Sequence, residues 1–259
     1  MFEASFIFDS YANRIAKGTH RALNRCQDFA RKYKYVLQCD IRQFFPGIDH
    51  EILRSILKRK NSDEQVMWLI DKIIASGEGV LSEEYEMVYF PDDDLFAVNR
   101  PRGLPIGNLT SQFWANVYLN PFDHFVKREL GCQAYLRYVD DSLLFDNDKK
   151  RLWQWRDAII KRLFRFRLTI HPGAQPRPVS EGIPFLGFIV FPQCRRLKCR
   201  KGIHFQRKLK KLVAGYRAGD IPLKELSASV RGWINHVRYG NTIGLRKAVL
   251  GRAFWRQGG

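Results

Sequence analysis

The sequence predicts an α+β domain followed by a small helical module. Three observations carry that expectation. Short apolar, strand-like runs (Tyr35 to Ile41, Tyr135 to Phe145, Pro184 to Phe191) alternate with stretches of helical spacing. A hydrophobic fraction of 45% over 259 residues is enough apolar side chain for a packed core. Charge also separates along the chain. Residues 193–259 hold 17 Lys and Arg against only Asp220 and Glu225, a net of +15, while the other 192 residues net +3.

Asp49 stands before His50-Glu51-Ile52-Leu53 and predicts a helix N-cap. Ile52 and Ile56, then Val66, Leu69, Ile70 and Ile73, recur at helical spacing. Residues 76–103, rich in Gly, Pro and acid, predict a loop with one hairpin. Asp92-Asp93-Asp94 reads as a surface turn inside it. Ser111 to Leu130 predicts a helix kinked or split at Asn120-Pro121. Residues 135–145 predict a β-hairpin with Asp140 and Asp141 at its tip. Leu152 to Phe166 predicts an amphipathic helix, and Pro184 to Phe191 a strand pair. From Lys208 onward the chain predicts basic helices broken at Gly219-Asp220-Ile221-Pro222.

The basic C-terminal module interleaves its charge with Phe205, Tyr216, Trp233, Tyr239 and Trp255. Nucleic acid offers both phosphates and stackable bases to such a surface. The five cysteines (Cys26, Cys39, Cys132, Cys194, Cys199) form no CxxC pair. Cys194 and Cys199 with His204 make a poor zinc set without a fourth ligand, so free thiols are expected. No stretch reads as a signal peptide or a membrane span, which predicts a cytoplasmic protein with no membrane partner.

The acidic residues inside apolar runs carry the chemistry. Asp140 and Asp141 are adjacent, repel each other, and are flanked by apolar residues that raise the cost of ionising both. A divalent cation removes that cost. Asp40 ends another apolar strand 100 residues upstream. Three such carboxylates brought together can hold two metal ions about 3.5–4 Å apart, the arrangement that drives nucleotidyl transfer.

Tyr35-Val36-Leu37-Gln38-Cys39-Asp40-Ile41 and Tyr138-Val139-Asp140-Asp141 resemble the catalytic boxes of reverse transcriptases. Pro184-Phe185-Leu186-Gly187 resembles their primer-grip strand, and Gly103-Leu104-Pro105-Ile106-Gly107-Asn108-Leu109-Thr110-Ser111-Gln112 their fourth block. The Ile-Gly-Asn-Leu-Thr-Ser-Gln form of that block is most like reverse transcriptases of diversity-generating retroelements. Ser10-Tyr11-Ala12 and Lys17-Gly18-Thr19-His20 resemble the same group. Group II intron-like and retron-like enzymes remain alternatives.

The resemblance implies a right-hand polymerase fold: partial fingers over 1–35, a palm over 36–192 with 76–103 inserted towards the fingers, and a basic helical thumb over 193–259. It implies RNA-templated DNA synthesis by a bacterial or phage retroelement. Asp40, Asp140 and Asp141 would be catalytic and, with the Ile41 carbonyl, would bind two Mg²⁺ ions, for which Mn²⁺ can substitute. Phe45 would be the steric gate against a ribose 2′-OH. Ile106 and Gln112 would meet the nucleotide, with Ile106 standing where accurate relatives carry Gln. Arg14 and Lys17 would hold the triphosphate. Arg207, Lys208, Lys210 and Lys211, with Leu186 and Gly187, would grip nucleic acid. His171 and Arg177 lie near where many relatives carry a lysine. The implied partners are an RNA template, a DNA or RNA primer, dNTPs and a small basic accessory protein. The short run before Tyr11 suggests a shortened fingers region, which leaves a truncated remnant acting only as an RNA-binding protein as an alternative.

Overall fold

A computed structural model describes residues 2–254. Trp255, one of the aromatics expected in the basic module, lies outside the described residues. In chain order the elements are α1 (Thr19–Lys32), β1 (Tyr35–Asp40), the short α2 (Phe44–Gly47), α3 (His50–Lys58), α4 (Glu64–Ala75), α5 (Leu109–His124), β2 (Tyr135–Tyr138), β3 (Asp141–Asp146), α6 (Lys149–Phe164) and β4 (Pro176–Pro178). Then follow β5 (Ile183–Phe185), β6 (Phe188–Val190), β7 (Arg195–Leu197), α7 (Cys199–Ala218), α8 (Leu223–Val237) and α9 (Ile243–Phe254). The chain forms two compact units, the first ending at Pro178 and the second starting at Val179.

The first unit is built on an antiparallel sheet of order β2-β3-β1-β4. Side chains alternate across a strand, so Leu37, Cys39 and Ile41 enter the core with Leu144, while Gln38 and Asp40 lie on the other face. Helices supply the rest of the core: Leu53 and Leu57 from α3, Trp114, Tyr118 and Phe122 from α5, Leu152, Ile159 and Leu163 from α6. Asp49 caps α3 by accepting from Ile52 N at 3.0 Å. The β2 edge is covered by the N-terminal segment, which pairs at Ser10 through Arg137 N to Asp9 O (2.9 Å) and Tyr11 N to Arg137 O (3.0 Å).

Three local expectations change. Pro121 neither ends nor splits α5, which runs on to His124. The disturbance falls one turn later: Phe125–Glu129 is a π-helical turn, closed by Leu130 N to Phe125 O at 3.0 Å. Residues 76–103 hold no hairpin. Two short 3₁₀ turns, Ser82–Glu84 and Leu95–Asn99, take its place. Within that loop Asp93 is almost wholly buried against Arg100, while Asp94 caps the second turn through Phe96 N at 2.9 Å. The triple-Asp run therefore includes one internal anchor, which its composition did not disclose.

In the second unit the expected strand pair becomes a three-stranded sheet, β5-β6-β7. Its first turn, Leu186-Gly187, has φ of 46° and 88°, the left-handed pair that a two-residue hairpin turn uses. Basic helix begins at Cys199 rather than Lys208. Phe205, Leu209, Leu212 and Val213 of α7 pack with Leu226 and Val249, and the Phe205 and Trp233 rings stack at 4.3 Å. The break at 219–222 separates α7 from α8 as expected.

Candidate active site

Register places the carboxylates. In the β1–β3 pairing Asp40 stands directly opposite Asp141, and Tyr138 opposite Asp141 closes the β2–β3 hairpin. Val139 and Asp140 form its two-residue turn. Val139 has φ 57°, a conformation a β-branched residue rarely adopts. Such a backbone persists only where neighbours enforce it. Here Arg137 does so: its Nη1 donates to Val139 O at 2.8 Å. The Asp140 carbonyl in turn accepts from Ile41 N at 3.3 Å, stitching the turn to the end of β1.

Arg137 is fully buried. It donates to both Asp123 oxygens at 2.7 Å and to Asn116 Oδ1 at 3.2 Å, and Tyr135 Oη donates to the same Asp123 at 2.7 Å. A buried ion pair of this kind is tolerated only when its remaining donors are satisfied. The sequence signal was available: Arg137 is the lone charge in the apolar run just before Tyr138. Its role as the internal support of the carboxylate turn was not foreseen.

The three carboxylates differ in surroundings. The Asp40 side chain is half exposed, and its backbone carbonyl accepts from His171 N at 2.9 Å. The His171 ring lies beside the Asp40 carboxylate, with Nε2 at 3.9 Å from Oδ2. Burial raises the Asp140 carboxyl above the usual carboxylate range, and the nearby Asp40 charge raises it further. Asp141 accepts from Gln38 Nε2 through both oxygens, each at 3.1 Å. Below them the Cys39 thiol is pushed up to about 12 by burial and then by Asp141.

Among the described residues no three His, Cys, Asp or Glu side chains make a ready-formed metal cage. The donors are nonetheless of the right kind. Carboxylate and carbonyl oxygens suit hard divalent cations. The burial and the nearby Asp40 charge that together raise the Asp140 carboxyl are both offset by positive charge.

The other predicted site residues are distributed as follows. Phe44 is buried in the core and Phe45 half-buried beside it, ring centroids 5.4 Å apart. Ile106 is 64% exposed, so it does not pack under the sheet. Gln112 lies in the first turn of α5, half-buried. Arg14 is engaged internally, donating to Glu3 Oε1 at 2.7 Å, Ile7 O at 2.6 Å and Ser10 O at 3.0 Å. Lys17 donates to Phe8 O at 2.6 Å and lies 3.5 Å above the Phe8 ring. Both cations thus brace the N-terminal segment. Arg177 is exposed on β4. In the second unit Arg207, Lys208, Lys210 and Lys211 line the exposed face of α7, and Leu186 and Gly187 form the β5–β6 turn.

This arrangement defines a class. Residues 3–190 match the reverse transcriptase (RNA-dependent DNA polymerase) family, and the chain belongs to it. Among curated proteins it is 24% identical to Protein YkfC of Escherichia coli (strain K12) over 166 residues, which is 61% of this chain and 36% of that protein. It is 27% identical to an uncharacterized 91 kDa protein in a cob intron of Schizosaccharomyces pombe over 130 residues, 49% of this chain and 14% of that one. Among solved structures it is similar to apo telomerase from Candida tropicalis, at 12% identity and TM-score 0.46, over 76% of this chain and 38% of that one. It is likewise similar to telomerase from Candida albicans in complex with a fragment of telomeric RNA, at 10% identity and TM-score 0.47, over 93% and 46% of the two chains. The chain spans less than half the length of each of these relatives.

Proposed function

We propose that the chain is an RNA-directed DNA polymerase of a retroelement, of the diversity-generating type, with the palm carboxylates in the first unit and the basic thumb helices in the second. The observation that carries this reading is the pairing of Asp40 opposite Asp141 with Asp140 in the adjoining turn. Asp40, Asp140, Asp141 and the Ile41 carbonyl would hold two Mg²⁺ ions. That metal pair would supply a lowered pKa for a primer 3′-OH and positive charge against the nucleotide triphosphate.

The chain's own residues do the rest. Arg137 holds the turn that carries Asp140, beside Asp141 at the end of the β1–β3 pairing. The His171 ring stands beside Asp40 at 3.9 Å, outside direct hydrogen-bond reach, and would be available to a group bound next to that carboxylate. The exposed cations of α7 would grip the phosphates of an RNA template and its primer. Full-length protein given primed RNA, dNTPs and Mg²⁺ should extend the primer at physiological salt. Asp140→Asn and Asp141→Asn should each abolish extension while the fold survives. Extension by either variant would overturn the reading, and RNA binding without extension by the wild type would favour a non-catalytic remnant.

A further inference from the structure

Gln38 belongs to none of the groups assigned above, yet its side chain touches the centre of the site. Strand alternation puts it on the same face as Asp40, two residues along β1. From there it reaches diagonally across to Asp141, the neighbour opposite Asp40, a span long side chains cover. Its single Nε2 donates to both Asp141 oxygens at the same distance, 3.1 Å. The amide nitrogen is therefore equidistant from the two oxygens, in the plane that bisects the carboxylate. A cation gripping both oxygens would lie in that same plane. Magnesium–oxygen bonds are about 2.0–2.1 Å, so an ion on the side the amide occupies would stand between the carboxylate and the nitrogen, and the two would contend for that side.

We propose that the Gln38 carboxamide and a divalent cation compete for the Asp141 carboxylate, so that Gln38 sets how readily this site takes up metal. The inference rests on the polymerase reading only in taking Asp141 to be a metal ligand. A neutral amide suits such a competitor. It gives Asp141 a partner among repelling carboxylates, but adds no charge, so a divalent ion can displace it. A lysine at this position would oppose the cation directly, and an apolar side chain would leave the carboxylate without that donor.

The test uses the full chain and Mn²⁺ alone, titrated by electron paramagnetic resonance without nucleotide or template, so that it does not depend on activity. Gln38→Met keeps the length of the side chain and removes the donor. Half-saturation should fall about ten- to a hundredfold, the size expected when one hydrogen bond to a charged group is lost from the competing state. The same substitution made in Asp141→Asn should bring no gain. Gln38→Asn, whose amide is one methylene too short to reach Asp141, should behave like Gln38→Met and decides the matter should that variant melt early. Unchanged Mn²⁺ uptake in a folded Gln38 variant would overturn the proposal, as would weaker uptake, which would make Gln38 an aid to the bound ion. Either result would leave the polymerase reading intact as long as Asp141→Asn lowers uptake. If Asp141→Asn binds Mn²⁺ as the wild type does, Asp141 is no ligand and the two readings fall together.

Discussion

At the scale of single residues, the carboxylate with the raised pKa makes the sharpest demand. Burial and Asp40 both disfavour the ionised form of Asp140. The folded chain therefore holds the Asp140 proton more tightly than the unfolded chain, and this group takes away stability as pH rises through its folded pKa. Asp140→Asn should be more stable than wild type to urea at neutral pH in the presence of a chelator. That gain should disappear below the unfolded carboxylate value of about 3.9. Ile106, exposed rather than packed, should accept Gln within about 0.5 kcal/mol of wild-type stability. If Ile106 meets the incoming nucleotide, a glutamine there would supply a hydrogen bond to it, and Ile106→Gln should lower misincorporation several-fold. Sequencing DNA copied from one RNA by both forms measures it, and matching error spectra would reject a role for Ile106. Phe45 is half-buried, so Phe45→Ala tests two effects at once. If the ring is a gate, NTP use rises while melting changes little. If it is only core, about 3–5 kcal/mol of stability is lost with no change of sugar preference.

Among the elements, the β2–β3 hairpin depends on what lies beneath it. Its tip holds a strained Val139, and the donor that holds the strain is Arg137, itself balanced by Asp123. Arg137→Met leaves Asp123 as an uncompensated buried charge and should lower unfolding free energy by about 3–5 kcal/mol. Adding Asp123→Leu should return part of that loss, because neither charge is then stranded. Urea melts of the single and double variants give the comparison, and an additive double variant would show that the pair is not coupled. α3 shows the same logic on a smaller scale. The Asp49 that caps it also accepts from Arg167 Nη1 at 2.5 Å. The helix start was legible from Asp49 preceding an apolar-periodic run. The bond to Arg167, 118 residues away, was not. In α5 the break expected at Asn120-Pro121 does not occur: the helix carries Pro121 inside it to His124, and a π-helical turn follows at Phe125–Glu129.

At the scale of the whole molecule, the separation of charge is the property with the widest consequence. The second unit presents Arg207, Lys208, Lys210 and Lys211 on one exposed helical face, while Phe205, Leu209, Leu212 and Val213 of the same helix are turned inward. Binding to an RNA–DNA hybrid should weaken steeply with salt, with log K linear in log salt. Neutralising those four residues should lessen the slope by up to about 0.9 for each phosphate left without its cation. Filter binding from low to physiological salt measures it, and a flat response in the wild type would rule out a phosphate grip.

Local signals along the chain were enough to specify β1, the β2–β3 hairpin, the β5–β6 pair, most of the helices and the basic helical module, but not β4 or β7, and of the two aspartates expected at the hairpin tip only Asp140 lies in the turn, Asp141 opening β3. Those signals are side-chain period, capping residues, and acid where apolar residues are expected. Packing, by contrast, set β1 between β3 and β4, and so brought Asp40 to face Asp141. Packing also turned Arg14 and Lys17 back onto the N-terminal segment, put Arg137 beneath the turn, and gave Asp141 to Gln38. Each of those bonds joins groups through space along a path that no periodicity encodes. A long polar side chain has several reachable partners, and only the packed chain fixes which one it meets.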